Sequence, residues 1–215
     1  MKNLLSPLFI ITSLFSCSDN NLPFFEPSKK NETTETSIDE ELPFLGRETV
    51  EGKYKVPNFI GVTQSGDTIT QESLKGNAYI AEFFYVSCPS ICPLVKTQLL
   101  KMYKDDRFKN LKFISFTLAP EQDTPTVLKK YASDLEVNTN QWTFVNVDFE
   151  QVYKLANGYL VAAIPEKTED GEIPHDGRIV LIDEQGHLRA TCRATDKTQI
   201  KLFKQQVANY ISQQK

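Results

Sequence analysis

The amino-acid sequence predicts an α/β protein with a mixed central sheet, flanking helices and an added N-terminal hairpin. From about residue 54 onward, apolar runs rich in aromatic and β-branched residues alternate with segments of helical periodicity. The predicted order of elements ends with two strands followed by one helix. Together these observations favour a mixed sheet covered by helices over a helical bundle or a β-sandwich.

The first predicted elements are a hairpin, a central strand and a helix. The turn-forming sequence QSGD at 64–67 joins two short strands at 56–62 and 68–69. Residues 78–86 form a nearly continuous aromatic and β-branched run, which is typical of a strand buried on both faces. The segment 93–103 has apolar residues at helical spacing and predicts a helix.

The later elements continue this alternation. Thr124 and Pro125 are the residue types that favour a helix N-cap and first helical position. A third helix, over 149–157, is predicted to be closed by Gly158, and Thr195-Asp196 introduces the last helix. Apolar runs predict four more strands, at 111–118, 142–147, 178–182 and 187–192.

Composition and charge exclude several classes of protein. The chain has 215 residues, of which 40% are hydrophobic and 11% aromatic, so a wholly disordered chain is excluded. Its net charge of -4 argues against nucleic-acid binding, because phosphate neutralisation needs a basic face. The 4 cysteines are too few for a disulfide scaffold, and the 2 histidines and 2 methionines are too few for a metal buffer.

The N-terminus has the layout of a secretory signal peptide. Lys2 precedes a mostly apolar run over 4–15, which is shorter than the roughly 18 residues of a membrane-spanning helix. The sequence LFSC at 14–17 resembles the lipobox of bacterial lipoproteins, whose cysteine carries lipid. The resemblance predicts a signal peptide at 1–16 and lipidation at Cys17; a plain signal peptide cleaved nearby is the alternative.

Residues 17–50 are then predicted to form the lipidated cysteine and a flexible tether. Asn, Ser, Thr, Glu and Pro dominate this segment, which cannot bury enough apolar surface to offset the entropy of ordering. A flexible chain of this length reaches about 30 Å. The folded domain is predicted over residues 51–215.

Cys88 and Cys92 carry the main chemical signal. They lie in CPSICP at 88–93, between the predicted central strand and the following helix. Two thiols four residues apart at a helix start can face one pocket, and the helix N-terminus favours their thiolate forms. Thiolates attack disulfides and bind soft metals. A purely structural disulfide is the alternative.

His175 is the candidate third ligand. It lies in PHDG at 174–177, just before a predicted strand. A loop histidine at a strand end can reach the cysteine loop, although a solvated loop position is the commoner role.

The sequence FFYVSCPSICP at 83–93 resembles the Sco/SenC family of thioredoxin-fold copper proteins that help assemble cytochrome c oxidase. PEQDTP at 120–125, YKLA at 153–156 and LIDEQG at 181–186 agree with this pattern. The resemblance covers residues 56–211. It implies a thioredoxin-like fold and a copper site made by Cys88, Cys92 and His175.

Two thiolates and one imidazole suit Cu(I), and they can hold Cu(II) with an open or water-filled position. Zinc is chemically able to occupy the same three ligands, and the resemblance favours copper.

The resemblance implies an extracytoplasmic copper chaperone, lipid-anchored in the cell envelope and facing the periplasm. Such a chaperone delivers copper to the binuclear copper site of cytochrome c oxidase, or prepares that site. Its expected partners are the oxidase subunit that holds the copper centre, other copper carriers or thiol reductants, and the membrane.

Two enzymatic activities are the alternatives. The first is a thiol:disulfide oxidoreductase that reduces cysteines of the oxidase subunit or of other envelope proteins. In it Cys88 attacks and Cys92 resolves, so that the pair is redox-active and forms a disulfide, and His175 is an acid/base or a bystander. A peroxiredoxin-like peroxidase is disfavoured, because no threonine lies three residues before Cys88.

Glu82 and Asp176 are candidates for residues that support the metal ligands without binding the metal. Glu82 lies in the predicted buried strand, where a carboxylate could relay protons for the thiols, as the buried acid of thioredoxins does. Its alternatives are pairing with an Arg or Lys, or reaching solvent. Asp176 could orient His175 or stabilise a turn.

Cys192 is predicted to be a buried small hydrophobe, and His187 a solvent-facing residue after a turn. The lysines of the helix after the cysteines are predicted to form a solvated face: Lys96, Lys101 and Lys104.

Overall fold

The computed structural model describes residues 54–213. The predicted signal peptide, Cys17 and the tether to residue 50 lie outside these residues. The described part contains seven strands: β1 (Ile60–Thr63), β2 (Thr68–Thr70), β3 (Tyr79–Phe84), β4 (Lys112–Thr117), β5 (Trp142–Asn146), β6 (Arg178–Ile182) and β7 (Leu188–Arg193). It also contains four α-helices: α1 (Cys92–Tyr103), α2 (Pro125–Asp134), α3 (Phe149–Gly158) and α4 (Lys197–Ser212). None of the helices within 54–213 has the length and apolar character needed to cross a bilayer.

The strands form one mixed sheet in the order β2-β1-β5-β4-β3-β6-β7. Its three central strands, β3, β4 and β5, run parallel to one another. The β1–β2 hairpin pairs antiparallel with β5 at one side, and β6 and β7 continue the sheet antiparallel at the other. The predicted α/β class, with a mixed sheet and an N-terminal hairpin addition, is confirmed.

The core follows from the sequence pattern of the central strand. All six residues of β3 are buried, as expected for a strand covered on both faces. The buried positions of α1 include Val95, Leu99 and Met102, which recur at the predicted helical spacing.

Several element bounds differ from the prediction, such as the start of the first strand at Ile60 and not at residue 56, and two of the differences have clear local reasons. β3 ends at Phe84 and not at Val86, because the Tyr85 carbonyl accepts a hydrogen bond from the Cys88 N–H (3.3 Å) and turns the chain. Gly158 is the last residue of α3, so it does not lie beyond the helix as predicted. A Cβ on Gly158 would lie 2.2 Å from Pro57 Cγ, so close packing of Pro57 requires glycine there.

The second helix begins as predicted. The Thr124 side chain accepts a hydrogen bond from the Val127 N–H (3.5 Å), and Pro125 occupies the first helical position. This helix connects β4 to β5 and allows the two strands to run parallel.

Candidate metal centre

Sheet topology brings the cysteine loop and the histidine loop to the same edge. β3 and β6 are antiparallel, with Glu82 opposite Ile179. The chain after β3 and the chain before β6 therefore leave the sheet side by side. The first carries Cys88 and Cys92 and the second carries His175, which is why Cys92 and His175 converge although they are 83 residues apart in sequence.

Cys88, Cys92 and His175 each offer one ligand atom, and these atoms all lie within 4.8 Å of one another. Cys92 Sγ is 3.2 Å from His175 Nε2. Cys88 Sγ accepts a hydrogen bond from the Cys92 N–H at 3.4 Å, because Cys92 begins α1 and its N–H has no partner within the helix. Ligand atoms bound to a single ion at about 2.0–2.3 Å have similar separations.

A hydrogen bond sets the orientation of the His175 ring. Its Nδ1 lies 2.8 Å from the Ile173 carbonyl oxygen, which accepts a hydrogen bond from the ring N–H. With Nδ1 protonated, the neutral imidazole has its lone pair on Nε2, the atom that faces the thiols. This arrangement is typical of metal-binding histidines, whose second nitrogen donates to a backbone carbonyl or carboxylate.

The two thiols have different acidities. Partial burial opposes ionisation of Cys88, but hydrogen bonds from the Cys92 side chain and from backbone N–H groups outweigh it, and the pKa of Cys88 lies below its usual value. Burial raises the pKa of Cys92 well above its usual value, and the hydrogen bond to Cys88 acts in the same direction. Cys88 is therefore the thiol that ionises first.

The thiols line a cleft that opens to solvent. It has a volume of about 320 Å³, and Val86, Leu100 and Tyr131 lie on its mostly apolar wall beside the cysteines. Both cysteine side chains are otherwise buried, with 7% and 4% exposure for Cys88 and Cys92. An ion or a small ligand could therefore approach the sulfur atoms from one side.

Glu82 forms a buried ion pair with Lys96. The two side chains are 2% and 4% exposed, and Glu82 also accepts a hydrogen bond from the Ser115 hydroxyl. Lys96 therefore does not belong to a solvated helix face, and that prediction was wrong. It follows Cys92 by one helical turn, on the face that α1 packs against the sheet. A proton-relay role for Glu82 stays a prediction.

Asp176 supports a turn, and its carboxylate makes no hydrogen bond to the His175 ring. Its carboxylate accepts hydrogen bonds from the Arg178 backbone N–H and guanidinium, both at 3.1 Å. The group that orients His175 is the Ile173 carbonyl. Of the two hypotheses for Asp176, the structure thus favours the turn.

The remaining predicted side chains lie as follows. Cys192 is 1% exposed in β7, as predicted for a buried small hydrophobe. His187 is only half-buried, and its Nδ1 lies 3.2 Å from the Asp183 carboxylate, so it pairs within its turn and is not simply solvent-facing. Cys88, Cys92 and Cys192 are all free thiols in the described part of the chain.

Tyr85 and Ile173 are site residues that the sequence did not indicate. The Tyr85 hydroxyl accepts a hydrogen bond from the Ile173 N–H at 3.2 Å. Tyr85 and Ile173 are 88 residues apart in sequence, and no periodicity or motif predicts a contact between them. The position of Tyr85 next to the cysteine motif is the one available signal.

Comparison with known proteins identifies the family and the fold. The SCO1/SenC family model matches residues 47–212. A SCO1/SenC family lipoprotein from Bacillus anthracis has a structure with a TM-score of 0.66 and 21% identity, covering 74% of this chain and 96% of its own.

Two further solved structures share the fold. BsSco, described as a member of the Sco family of cytochrome c oxidase assembly proteins with a disulfide switch, is 24% identical with a TM-score of 0.64. That match covers 78% of this chain and 100% of BsSco. Arabidopsis thaliana ScoI, solved with copper bound, is 20% identical with a TM-score of 0.61, covering 74% of this chain and 98% of its own. These structures have the same thioredoxin-like architecture, and the match over 47–212 shows that the chain belongs to the SCO1/SenC family.

Proposed function

We propose that this chain is a copper chaperone that binds one copper ion through Cys88, Cys92 and His175. The observation that carries the proposal is the convergence of their three ligand atoms within 4.8 Å at the edge of the sheet. The copper bound to the related Arabidopsis thaliana protein supports copper as the ion. Two thiolates with one imidazole are a donor set that holds Cu(I) and accommodates Cu(II).

The cleft and the acidities of the two thiols suit a carrier that must release its cargo. Because the pKa of Cys88 lies below its usual value, copper binding displaces its proton more readily than that of an ordinary thiol. Burial keeps Cys92 protonated until metal displaces its proton, so copper binding and proton release are linked. The open side of the cleft is where thiolates of a recipient protein would replace these ligands one at a time.

The proposed recipient is the copper-centre subunit of cytochrome c oxidase, in which the chaperone fills or prepares the binuclear copper site. The description of BsSco as a member of a family of cytochrome c oxidase assembly proteins supports this choice. Lipidation at Cys17, with residues 17–50 as a tether, would hold the domain near the membrane that contains the oxidase. The Bacillus anthracis relative, a lipoprotein, supports the anchor.

A transfer assay tests the function. Copper-loaded full chain, with Cys17 replaced by serine so that its thiol does not bind copper, is mixed with the reduced, copper-free soluble domain of the oxidase subunit. We expect the absorbance and EPR signals of the binuclear centre to grow in proportion to the copper supplied. The Cys88→Ser/Cys92→Ser variant should give no signal.

The same assay, repeated with an oxidised acceptor, separates delivery from thiol reduction. A pure dithiol reductase would restore an oxidised acceptor without carrying copper, and His175→Ala would reduce the acceptor as well as the unmodified chain does. We expect His175→Ala to fail in Cu(II) delivery. Full formation of the centre by copper-free reduced chain plus free copper, at the same rate as by the loaded chain, would refute delivery.

A further inference from the structure

Tyr85 lies between the two loops that supply the candidate ligands. It is the first residue after β3 and its side chain is 4% exposed. Its ring packs edge-on to the His175 ring, with centroids 5.7 Å apart and an interplanar angle of 66°. Its backbone carbonyl accepts the Cys88 N–H hydrogen bond, so the same residue contacts both halves of the site.

A chain of two hydrogen bonds connects Tyr85 to the His175 ring. The Tyr85 hydroxyl accepts from the Ile173 N–H at 3.2 Å, and the Ile173 carbonyl accepts from His175 Nδ1–H at 2.8 Å. The Tyr85 hydroxyl thus holds the N–H of Ile173, and the carbonyl of the same residue holds the His175 imidazole.

The histidine loop, residues 163–175, has few other attachments to the cysteine segment 85–92. Among the hydrogen bonds of residues 54–213, two join these segments in addition to the Cys92–His175 contact. One is the Tyr85–Ile173 bond, which is buried; the other joins Ser90 to Glu172 at 2.7 Å and is exposed. A buried hydrogen bond costs more to break than an exposed one, because water does not replace the lost partner.

We propose that Tyr85 is a positioning residue of the metal centre, whose hydroxyl holds the Ile173 segment so that His175 Nε2 faces the two cysteine sulfurs. This inference rests on the proposed copper-binding function. Tyr85 acts through Ile173 and His175, and is not itself a ligand.

Loss of the hydroxyl should affect the two oxidation states of copper unequally. Cu(I) is satisfied by two thiolates, whereas Cu(II) depends on the imidazole. Groups that orient a ligand typically contribute 10–100-fold to metal affinity. Tyr85→Phe, which keeps the ring and removes only the hydroxyl, should weaken Cu(II) binding by about tenfold and Cu(I) binding by much less.

Tyr103 provides a matched control. Its hydroxyl also accepts a backbone N–H hydrogen bond, from Asn138 at 2.8 Å, and its ring packs against Phe113. It lies at the far end of α1 from Cys92, roughly 16 Å along the helix axis. Tyr103→Phe therefore removes a tyrosine hydrogen bond to a backbone N–H, in this case an exposed one, without touching the site.

Two measurements on the full chain with Cys17→Ser test the inference. Hydrogen exchange of the copper-free protein reports on the histidine loop: Tyr85→Phe should accelerate exchange within residues 163–175, and Tyr103→Phe should not. Titration with Cu(I) and Cu(II), followed by thiolate-to-copper absorbance and EPR, should show the selective loss of Cu(II) affinity in Tyr85→Phe alone.

The two measurements distinguish failure of the positioning role of Tyr85 from failure of the proposed copper-binding function. If the unmodified chain binds no copper, the proposed function is refuted, and hydrogen exchange still decides whether Tyr85 holds the loop. If the unmodified chain binds copper and Tyr85→Phe matches Tyr103→Phe in both measurements, the positioning role is overturned. An equal loss of Cu(I) and Cu(II) affinity in Tyr85→Phe would also overturn it.

Discussion

Replacing Lys96 with methionine should destabilise the protein severely, because it leaves the Glu82 carboxylate buried without its counter-ion. Lys96 Nζ pairs with Glu82 and lies over the rings of Phe84 and Trp142, 4.3 and 5.1 Å from their centroids. Methionine has a similar length and fits an apolar cage, so the lost charge dominates the effect.

The size of the expected loss of stability follows from the remaining partners of Glu82. Within the described residues, its Oε2 has no hydrogen-bond partner, so Ser115 would be the last group to support the charge. Removing one member of a buried ion pair costs about 3–5 kcal/mol. For a domain of this size, about 3 kcal/mol corresponds to a decrease in Tm of roughly 6–12 °C.

Urea unfolding measures this cost directly. The chain has a single tryptophan, Trp142, which is fully buried and donates a hydrogen bond to Ser115 Oγ at 2.8 Å, so its fluorescence reports on this network. Lys101→Met is the matched control: Lys101 is exposed on the same helix, and its loss should change stability by less than about 0.5 kcal/mol.

A double variant isolates the pair itself. Glu82→Gln with Lys96→Met removes both charges, and its cost should be at least about 1 kcal/mol smaller than the sum of the two single costs. A Lys96→Met cost below about 1 kcal/mol, or one equal to that of Lys101→Met, would refute the buried ion pair.

Two other predictions concern the site. Hydrogen bonds hold the pKa of Cys88 below its usual value against partial burial, whereas burial raises those of Cys92 and Cys192. At pH 7, iodoacetamide should therefore modify Cys88 at least about tenfold faster than Cys92 or Cys192. The rate of Cys88 modification should also reach its plateau at a lower pH than that of a free cysteine. Mass spectrometry of the native protein measures both rates, and preferential labelling of Cys92 would contradict the prediction. Gly177→Ala should destabilise the fold by about 1–3 kcal/mol, since φ is +63° and a Cβ would lie 2.6 Å from Ile91 Cδ1. Urea unfolding measures this, and an unchanged midpoint would show that the turn accepts a side chain.

Much of the fold could be predicted from local pattern. The buried strand β3 was identified by its continuous apolar run, and the start of α2 by Thr124 and Pro125. These signals are local, because periodicity and capping depend on residues within a few positions of one another. The end of β3 was misplaced by two residues, because a backbone hydrogen bond to Cys88 turns the chain there.

Contacts between distant segments were harder to predict. Sequence alone predicts that Lys96 is exposed, because lysine side chains usually are. Its position one turn after Cys92 nevertheless places it on the buried face of α1. Its partner Glu82 was located in a buried strand, but the pairing depends on how α1 packs against the sheet. Tyr85 and Ile173 meet only because β3 and β6 are neighbours, and one sequence does not reveal that topology.

Anaerobic copper titration of the full chain with Cys17→Ser, followed by absorbance and EPR, tests the central claim most directly. We predict one copper per chain, loss of binding in Cys88→Ser/Cys92→Ser, and selective loss of Cu(II) affinity by at least about tenfold in His175→Ala. Cys192→Ser, which removes a buried thiol of β7, should bind like the unmodified chain. Binding well below one copper per chain, or full binding without Cys88 and Cys92, would contradict the proposed metal centre.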